Sequence, residues 1–276
     1  MNGKLYLVAT PIGNLDDITL RAINILKEVD VIAAEDTRHS LKLLNHLEIS
    51  KPLISYHRHN EEIKKELLIN KLLDGENIAL ITDAGTPAIS DPGEVVVKAA
   101  IENNIEIIPI PGACAAINAL ISSGMKTNEF IFIGFLPVNI KEKKEKLAEI
   151  KKYTQTIILY EAPHKLINTL KMMLEEIGDR NICLAREITK IHEEHIRGKI
   201  SEILEKINEP KGEYVLILEG NNKSEKEEKR EILNEMSLEE HFEYYKKQGF
   251  DKKEIIKKIA KDRNTNKNEI YQYFLK

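Results

Sequence analysis

Four groups of residues in this 276-residue chain have the types and spacing to do chemistry. Residues 35–40, Glu35-Asp36-Thr37-Arg38-His39-Ser40, close an apolar stretch that begins at Val29. Two carboxylates, an arginine and a histidine at a strand end can grip a polyanion and help a proton leave; a helix-cap network is the other reading of the same residues. The second group is the loop after Ala79-Leu80-Ile81, dense in Asp83, Gly85, Pro87, Ser90, Asp91, Pro92 and Gly93, with a helical pattern from Glu94. Strand, small-residue loop and helix let a ligand touch backbone at the carboxyl end of a parallel sheet. Its glycines and prolines fix a shape and leave room above it. The third group is a pair of strand ends, Tyr160-Glu161 and Arg186-Glu187. The fourth is histidine-rich: HRH at 57–59 and HEEH at 192–195. Neither has a completing set of metal ligands, and HEEH lacks the four-residue spacing of HExxH, so these histidines read as facing solvent or substrate.

The elements that must position these residues alternate. Strands are expected over 4–10, 29–36, from 52, over 79–81 and over 105–111. Helices are expected over 18–28 with Asp16 or Asp17 as cap, over 40–46, 61–73, from 94, and over 113–124. That rhythm means an α/β domain with a largely parallel sheet. After Gly124 come strands over 130–137, 156–162, 181–188, 195–200 and 213–220, with helices over 140–152, 164–177 and 201–207. This second α/β unit has more antiparallel character. The expected division is 1–125, 126–222, and a linker with a small helical module over 223–276, the residues 126–128 joining the first two. Residues 221–231 read as a solvated linker or a fraying helix, and three short helices around Gly249 and Asn264-Thr265-Asn266 look helix-turn-helix-like.

Composition narrows the function. The chain is 42% hydrophobic and 31% charged, as in a globular protein. Two distant cysteines, Cys114 and Cys183, offer no disulfide framework or zinc spacing and favour a reducing cytoplasm. The N-terminal apolar run is too short for a signal peptide or a membrane span. A net charge of −4 argues against a globally basic nucleic-acid binder, but from Tyr244 to Lys276 ten Lys/Arg face four Asp/Glu, a local balance of +6. No GxGxxG or Walker pattern follows the first strand, which disfavours an ordinary NAD enzyme, a P-loop NTPase and a typical Rossmann methyltransferase.

Eight segments in order carry a resemblance: VATPIGNLDDIT (8–19), AEDTRHS (34–40), TDAGTPAISDPG (82–93), PIPGACAA (109–116), FIGFLP (132–137), YEAPHK (160–165), AREITKIHEE (185–194) and GEYVLILEG (212–220). Over 4–276 the chain resembles the tetrapyrrole-methylase superfamily, and more closely its ribosomal RNA small-subunit methyltransferase I branch. The resemblance implies two α/β domains with S-adenosylmethionine in the cleft between them, no metal, a homodimer, and a basic C-terminal helical module. It also implies the reaction, methylation of the 2′-hydroxyl of a decoding-region cytidine of 16S rRNA in the 30S subunit. Gly85-Thr86-Pro87 stands where corrin-forming relatives carry G-D-P, and with Ile89 is expected to line the cofactor. Ile12, Cys114-Ala115 and Tyr160 correspond to cofactor-contacting positions. Cys114 departs from the serine usual in the branch, which weakens a side-chain hydrogen bond there.

The chemistry of the residues agrees with this. A sulfonium methyl is already activated, so positioning is the main demand. A ribose hydroxyl is a poor acid; Glu35, Asp36 and His59 are the candidates to deprotonate it, with Arg38 and Arg186 holding phosphates. A methyltransferase acting on a corrin precursor is the alternative, and it would have no use for the basic tail. A non-catalytic RNA-binding factor would be expected to lose the cofactor loops, whereas 82–93 and 111–116 look intact.

Overall fold

The first sheet follows from strands whose two faces are both apolar. The computed structural model describes residues 1–222 and 225–275. The chain begins with β1 (Lys4–Val8), a short 3-10 turn (Leu15–Asp17), α1 (Leu20–Glu28), β2 (Val31–Ala34), α2 (Thr37–His46), β3 (Leu53–Ser55), α3 (Glu61–Leu73), β4 (Ile78–Ile81), α4 (Glu94–Glu102), β5 (Glu106–Ile110) and α5 (Ala115–Ser123). The five strands pair in parallel in the order β3-β2-β4-β1-β5. Successive side chains alternate across a strand. Leu5, Val31, Ala33, Ile78 and Leu80 therefore join Leu68, Leu72 and Val96 in one core. Val8, Ile32, Ala34, Ala79 and Ile81 join Ala22, Leu26 and Leu44 in another. A sheet buried on both faces is what βαβ crossovers produce.

The second sheet uses β6 (Phe130–Phe135), α6 (Ile140–Ile150), β7 (Thr156–Glu161), α7 (Pro163–Ile177), β8 (Asn181–Arg186), β9 (Glu194–Lys199), α8 (Ile200–Lys206) and β10 (Tyr214–Leu218). Its order is β6-β7-β10-β8-β9, with only the β6–β7 pair parallel. α5 lays Ala116, Ala119 and Leu120 against Ile158, Cys183, Ala185, Val215 and Ile217 of this sheet. The small side chains of α5 let it lie close to the strands. The fold is thus α/β with two sheets, the first wholly parallel and the second mostly antiparallel. Among the described residues no helix is long and apolar enough to cross a membrane.

Two compact units divide the chain. One is 1–147 with 155–219 and holds both sheets; the other is 148–154 with the residues from 220 onward. The second contains α9 (Glu225–Glu235), α10 (Leu238–Lys246), α11 (Lys252–Asp262) and α12 (Lys267–Tyr273). Leu233, Tyr245, Ile255, Ile256, Ile259 and Ile270 form its core. Reciprocal capping boxes start α10 at Ser237 with Glu240 and α11 at Asp251 with Glu254. Of the stretch 221–231, residues 223 and 224 lie outside the described residues, and from Glu225 the backbone is helical.

Two helix starts differ from the sequence reading. The helix expected from 18 under an Asp16 or Asp17 cap begins at Leu20, capped by Thr19, whose hydroxyl accepts from the Ala22 N–H at 3.1 Å. Ile18 packs on the first-sheet core in extended backbone, so the helix starts only after it. The helix expected from 40 begins at Thr37, because Asp36 is its cap and accepts from the Arg38 N–H at 2.9 Å.

A polar group sits inside the helical unit. His241 is fully buried; its Nδ1 accepts from Arg263 Nε at 3.3 Å and its Nε2 lies 3.4 Å from Asp262 Oδ2. Burial first, and the Arg263 charge second, push its pKa down from the ordinary histidine value. The unfolded chain therefore binds a proton near the ordinary value, 6.5, that the folded unit resists. Stability is full above pH 6.5 and falls as pH drops below it, by up to about 1 kcal/mol per pH unit. Hydrogen exchange of the 238–262 amides should accelerate from pH 7.5 to 5.5 beyond the intrinsic trend, and His241→Asn should remove that excess. Equal excess in the variant would dismiss the assignment.

Candidate active site

Register brings the loops together. Ala34 of β2 lies beside Ile81 of β4, so Glu35 and the loop from Thr82 leave the sheet side by side. Val8 of β1 lies beside Ile110 of β5, so the segments carrying Ile12 and Cys114 do the same. These are the carboxyl ends of a parallel sheet, where open α/β proteins bind ligands. The first loop is pinned to the β4 loop by a pair of backbone bonds, Thr10 N–H to Gly85 O at 2.9 Å and Gly85 N–H to Thr10 O at 3.0 Å. Thr86 Oγ1 donates to Ala113 O at 3.0 Å and ties in the third.

The result is a cleft of about 630 Å³. The first sheet contributes Ile12, Glu35, the 83–91 loop, Cys114 and Ala115; the second contributes Phe135, Tyr160, Glu161, Ile188 and Val215. Tyr160 meets Phe132 and Phe135 edge to face, centroids 5.2 and 5.6 Å away, and burial pushes its hydroxyl up to about 12. The wall behind it is braced by a buried relay: Lys143 Nζ donates to Thr169 Oγ1 at 3.2 Å, Thr169 to Glu161 Oε2 at 2.5 Å, and the Ala162 N–H to Glu161 Oε1 at 2.9 Å. That fixes the start of α7, whose first residues also line the cleft.

The loop after β4 is held in uncommon backbone. Gly85 takes φ +85°, and Ala88 and Ser90 are left-handed at +66° and +64°. Residues without glycine's freedom keep such angles only when their surroundings impose them. Here Arg58 donates to the Ser90 carbonyl, and Ala88 N–H to Pro92 O at 3.3 Å. A Cβ on Gly85 would stand 3.3 Å from Ile12 Cγ2 and 3.7 Å from Ala113 O, so glycine keeps the space between the loops open.

One edge of the cleft is acidic. Burial, then the Asp83 charge, raise the pKa of Glu35. Burial, then Glu35, push Asp91 up to about 6, with Arg58 opposing. Among the described residues no group of three or more His, Cys, Asp or Glu gathers as metal ligands.

Comparison with known proteins assigns the family. The model of the Tetrapyrrole (Corrin/Porphyrin) Methylases matches residues 4–204. The chain belongs to the tetrapyrrole methylase family. Within it, the chain is 50% identical to the ribosomal RNA small subunit methyltransferase I of Halalkalibacterium halodurans, over 99% of this chain and 94% of that one. It is also 50% identical to the Bacillus subtilis protein of the same name, over the same shares. The fold is shared with a Thermus thermophilus uroporphyrin-III C-methyltransferase solved with S-adenosylhomocysteine, at 18% identity and a TM-score of 0.56, over 79% of this chain and 97% of that one.

Against this tetrapyrrole methylase cleft, the residues singled out by sequence separate into two sets. Ile12, Gly85, Thr86, Ile89, Cys114, Ala115, Tyr160 and Glu35 line it. Pro87 does not line it; it is buried in the same loop. Asp36, Arg38, His59 and Arg186 also lie off the lining. Asp36 is the cap of α2 and is paired with Arg38 at 2.9 Å, whose hydrogen bonds hold its carboxyl at about 2. His59 is exposed beside His57, and Arg186 is engaged by Lys211 O at 2.8 Å and Glu194 at 3.2 Å. Asp91, Phe135, His164, Ile188, Glu213 and Val215 line the cleft without having been chosen. All six lay inside the quoted motifs, at 82–93, 132–137, 160–165, 185–194 and 212–220, but residue type alone did not single them out.

Cys114 is the N-cap of α5 and makes no side-chain cap bond. Serine there would accept from the first turn of the helix. Cys114→Ser is expected to raise stability by about 0.5–1 kcal/mol, a Tm gain of roughly 1–4 °C, without weakening ligand binding. A scanning-calorimetry Tm at or below that of the parent would refute it.

Proposed function

We propose that the protein transfers a methyl group from S-adenosylmethionine to the ribose 2′-hydroxyl of a decoding-region cytidine in 16S rRNA, acting on the 30S subunit as a cytoplasmic homodimer. The reach of the likeness carries this reading. The family match ends at residue 204, whereas the ribosomal RNA small subunit methyltransferase I relatives match 99% of the chain, which takes in the C-terminal helices. The end of that segment is basic, +6 from Tyr244 on in a chain of net −4. A corrin precursor has no use for such a surface, and RNA does.

The residues fit the methyl donor. A cleft of about 630 Å³ with apolar walls and backbone groups at its loops suits a nucleoside joined to an amino acid. Gly85, Thr86 and Ile89 would hold it from the β4 loop, Pro87 stiffening that loop; Ile12, Cys114 and Ala115 would hold it from the neighbouring loops, and Tyr160 from the second sheet. When bound, S-adenosylmethionine supplies a methyl already activated by the sulfonium. The chain's own residues orient the acceptor, exclude water and move its proton. Of Glu35, Asp36 and His59, only Glu35 lines the cleft, so the proton is assigned to the carboxylates at that edge. Arg38, its side chain 89% exposed, and Arg186 would meet RNA phosphates outside the cleft.

Labelled S-adenosylmethionine supplied with 30S subunits, followed by nuclease mapping, tests the proposal. Label on the ribose of a decoding-region cytidine is the expected result. No label on 30S or naked 16S rRNA, from protein that binds S-adenosylhomocysteine, would redirect the search to a corrin precursor.

A further inference from the structure

We propose that Phe135 is the platform on which the base of the acceptor nucleotide stacks, so that its ribose hydroxyl is held toward the methyl donor. The proposal rests on the reading of the acceptor as a cytidine ribose in RNA, and it adds a place for the base.

A β-bulge aims this ring. Side chains three residues apart on a regular strand point to opposite faces of the sheet. Phe132 and Phe135 are three apart, yet both meet the Tyr160 ring, with centroids 5.2 and 5.6 Å away. The register gives the reason. Phe132 lies opposite Ile158 and Gly134 opposite Leu159, so β6 carries one residue more than β7 between them, and Phe135 falls opposite Tyr160. In unbroken register Gly134 would lie opposite Tyr160, and Phe135 would point to the other face. Bulges recur beside active sites, where they re-aim a side chain. Gly134 turns the strand at φ +70°, and a Cβ on it would stand 3.0 Å from Ser90 Oγ in the loop after β4.

What the bulge delivers is an open ring. Among the described residues, the Phe and Tyr rings that line the cleft are Phe135, Tyr160 and Tyr214. Tyr214 is buried and Tyr160 half-buried, whereas Phe135 is 59% exposed. Val138 and Ile140, just beyond it in the chain, are exposed as well. A ring left open to water gains little from burial, so core packing does not account for the bulge.

A nucleobase is the occupant this ring suits. Proteins recognise unpaired RNA bases largely by stacking them on aromatic side chains. Tyr160, the neighbour of Phe135 across the strands, is assigned to the methyl donor, so a base on Phe135 lies next to that donor. The base sits on C1′ and the reacting hydroxyl on C2′, two carbons bonded to each other. Fixing the plane of the base therefore orients the hydroxyl.

Substitutions at Phe135 in the full-length protein test this. Phe135→Leu and Phe135→Met keep an apolar side chain but lose the flat face. Each should lower kcat/KM for methyl transfer to 30S subunits by about 5- to 100-fold. Phe135→Tyr, which keeps the ring, should stay within about threefold of the parent. Calorimetric affinity for S-adenosylhomocysteine should stay within about threefold in all three variants. Leu and Met variants that transfer within fivefold of the parent overturn the platform, as does a Tyr variant as impaired as they are. A loss matched by lost S-adenosylhomocysteine affinity would give the ring to the adenine of the donor and overturn it too. Each of these outcomes leaves ribose methylation standing. Parent protein that never labels RNA overturns the ribose reading itself.

Discussion

Replacing Gly85 by valine is expected to weaken S-adenosylhomocysteine binding by about 30- to 100-fold and to lower stability by roughly 1–3 kcal/mol. Gly85 stands at φ +85°, where a β-branched residue is strongly disfavoured. Its backbone cannot relax cheaply, because both its N–H and its C=O are bonded to Thr10. The new side chain would start 3.3 Å from Ile12 Cγ2 and would grow into the space between two cleft-lining loops. The chain must then give up the Thr10–Gly85 pairing or the open cleft, and either change spoils the site. Calorimetric titration with S-adenosylhomocysteine, alongside a thermal melt, reads both effects. Affinity within twofold of the parent would show that ligand does not pass over Gly85.

The second large effect belongs to the helical unit. Lys253, Lys257 and Lys261 recur every four residues along α11, so they share one face, and all three are exposed. The buried side of the same helix is Ile255, Ile256 and Ile259, so the stripe can be changed without touching the core. Each lysine that meets a phosphate contributes about 0.7–0.9 to the salt slope of binding. Replacing all three by glutamine should lower that slope by about 2–3. At 0.1 M salt, one decade below 1 M, this amounts to roughly 100-fold in affinity for 30S subunits. S-adenosylhomocysteine binding should not change, since no cleft-lining residue is altered. Filter binding over a salt series measures it. An unchanged slope would move RNA contact to another surface and leave the +6 balance as a solvated helical face.

How much of this was legible beforehand varied with the range of the forces involved. The strands of the first sheet were legible because burial on both faces demands continuous apolar runs such as Val31–Ala34 and Ile78–Ile81. Helix starts were less so. Thr19, and not Asp16 or Asp17, caps α1, because the packing of Ile18 sets where helix geometry can begin. The loop over 82–93 was marked by its glycines and prolines, whereas the left-handed backbone of Ala88 and Ser90 is imposed by tertiary bonds and had no mark in composition.

The site shows the same division. Residue types by themselves pointed to a small-residue loop at a strand end, which lines the cleft, and the motif order determined the family. Neither could rank the carboxylates, because Glu35, Asp36, Asp83 and Asp91 are alike in chemistry and differ in surroundings. Tertiary structure decided that Asp36 is spent as a helix cap held at about 2, while Asp91 is carried into the cleft and pushed up to about 6. It also placed Phe135, Ile188 and Val215 on the opposing wall, from strands far along the chain. Backbone preference and hydrophobic period are local and can be read from neighbours in sequence. A carboxylate's basicity and a cleft's far wall depend on desolvation and charge from residues that only folding brings near.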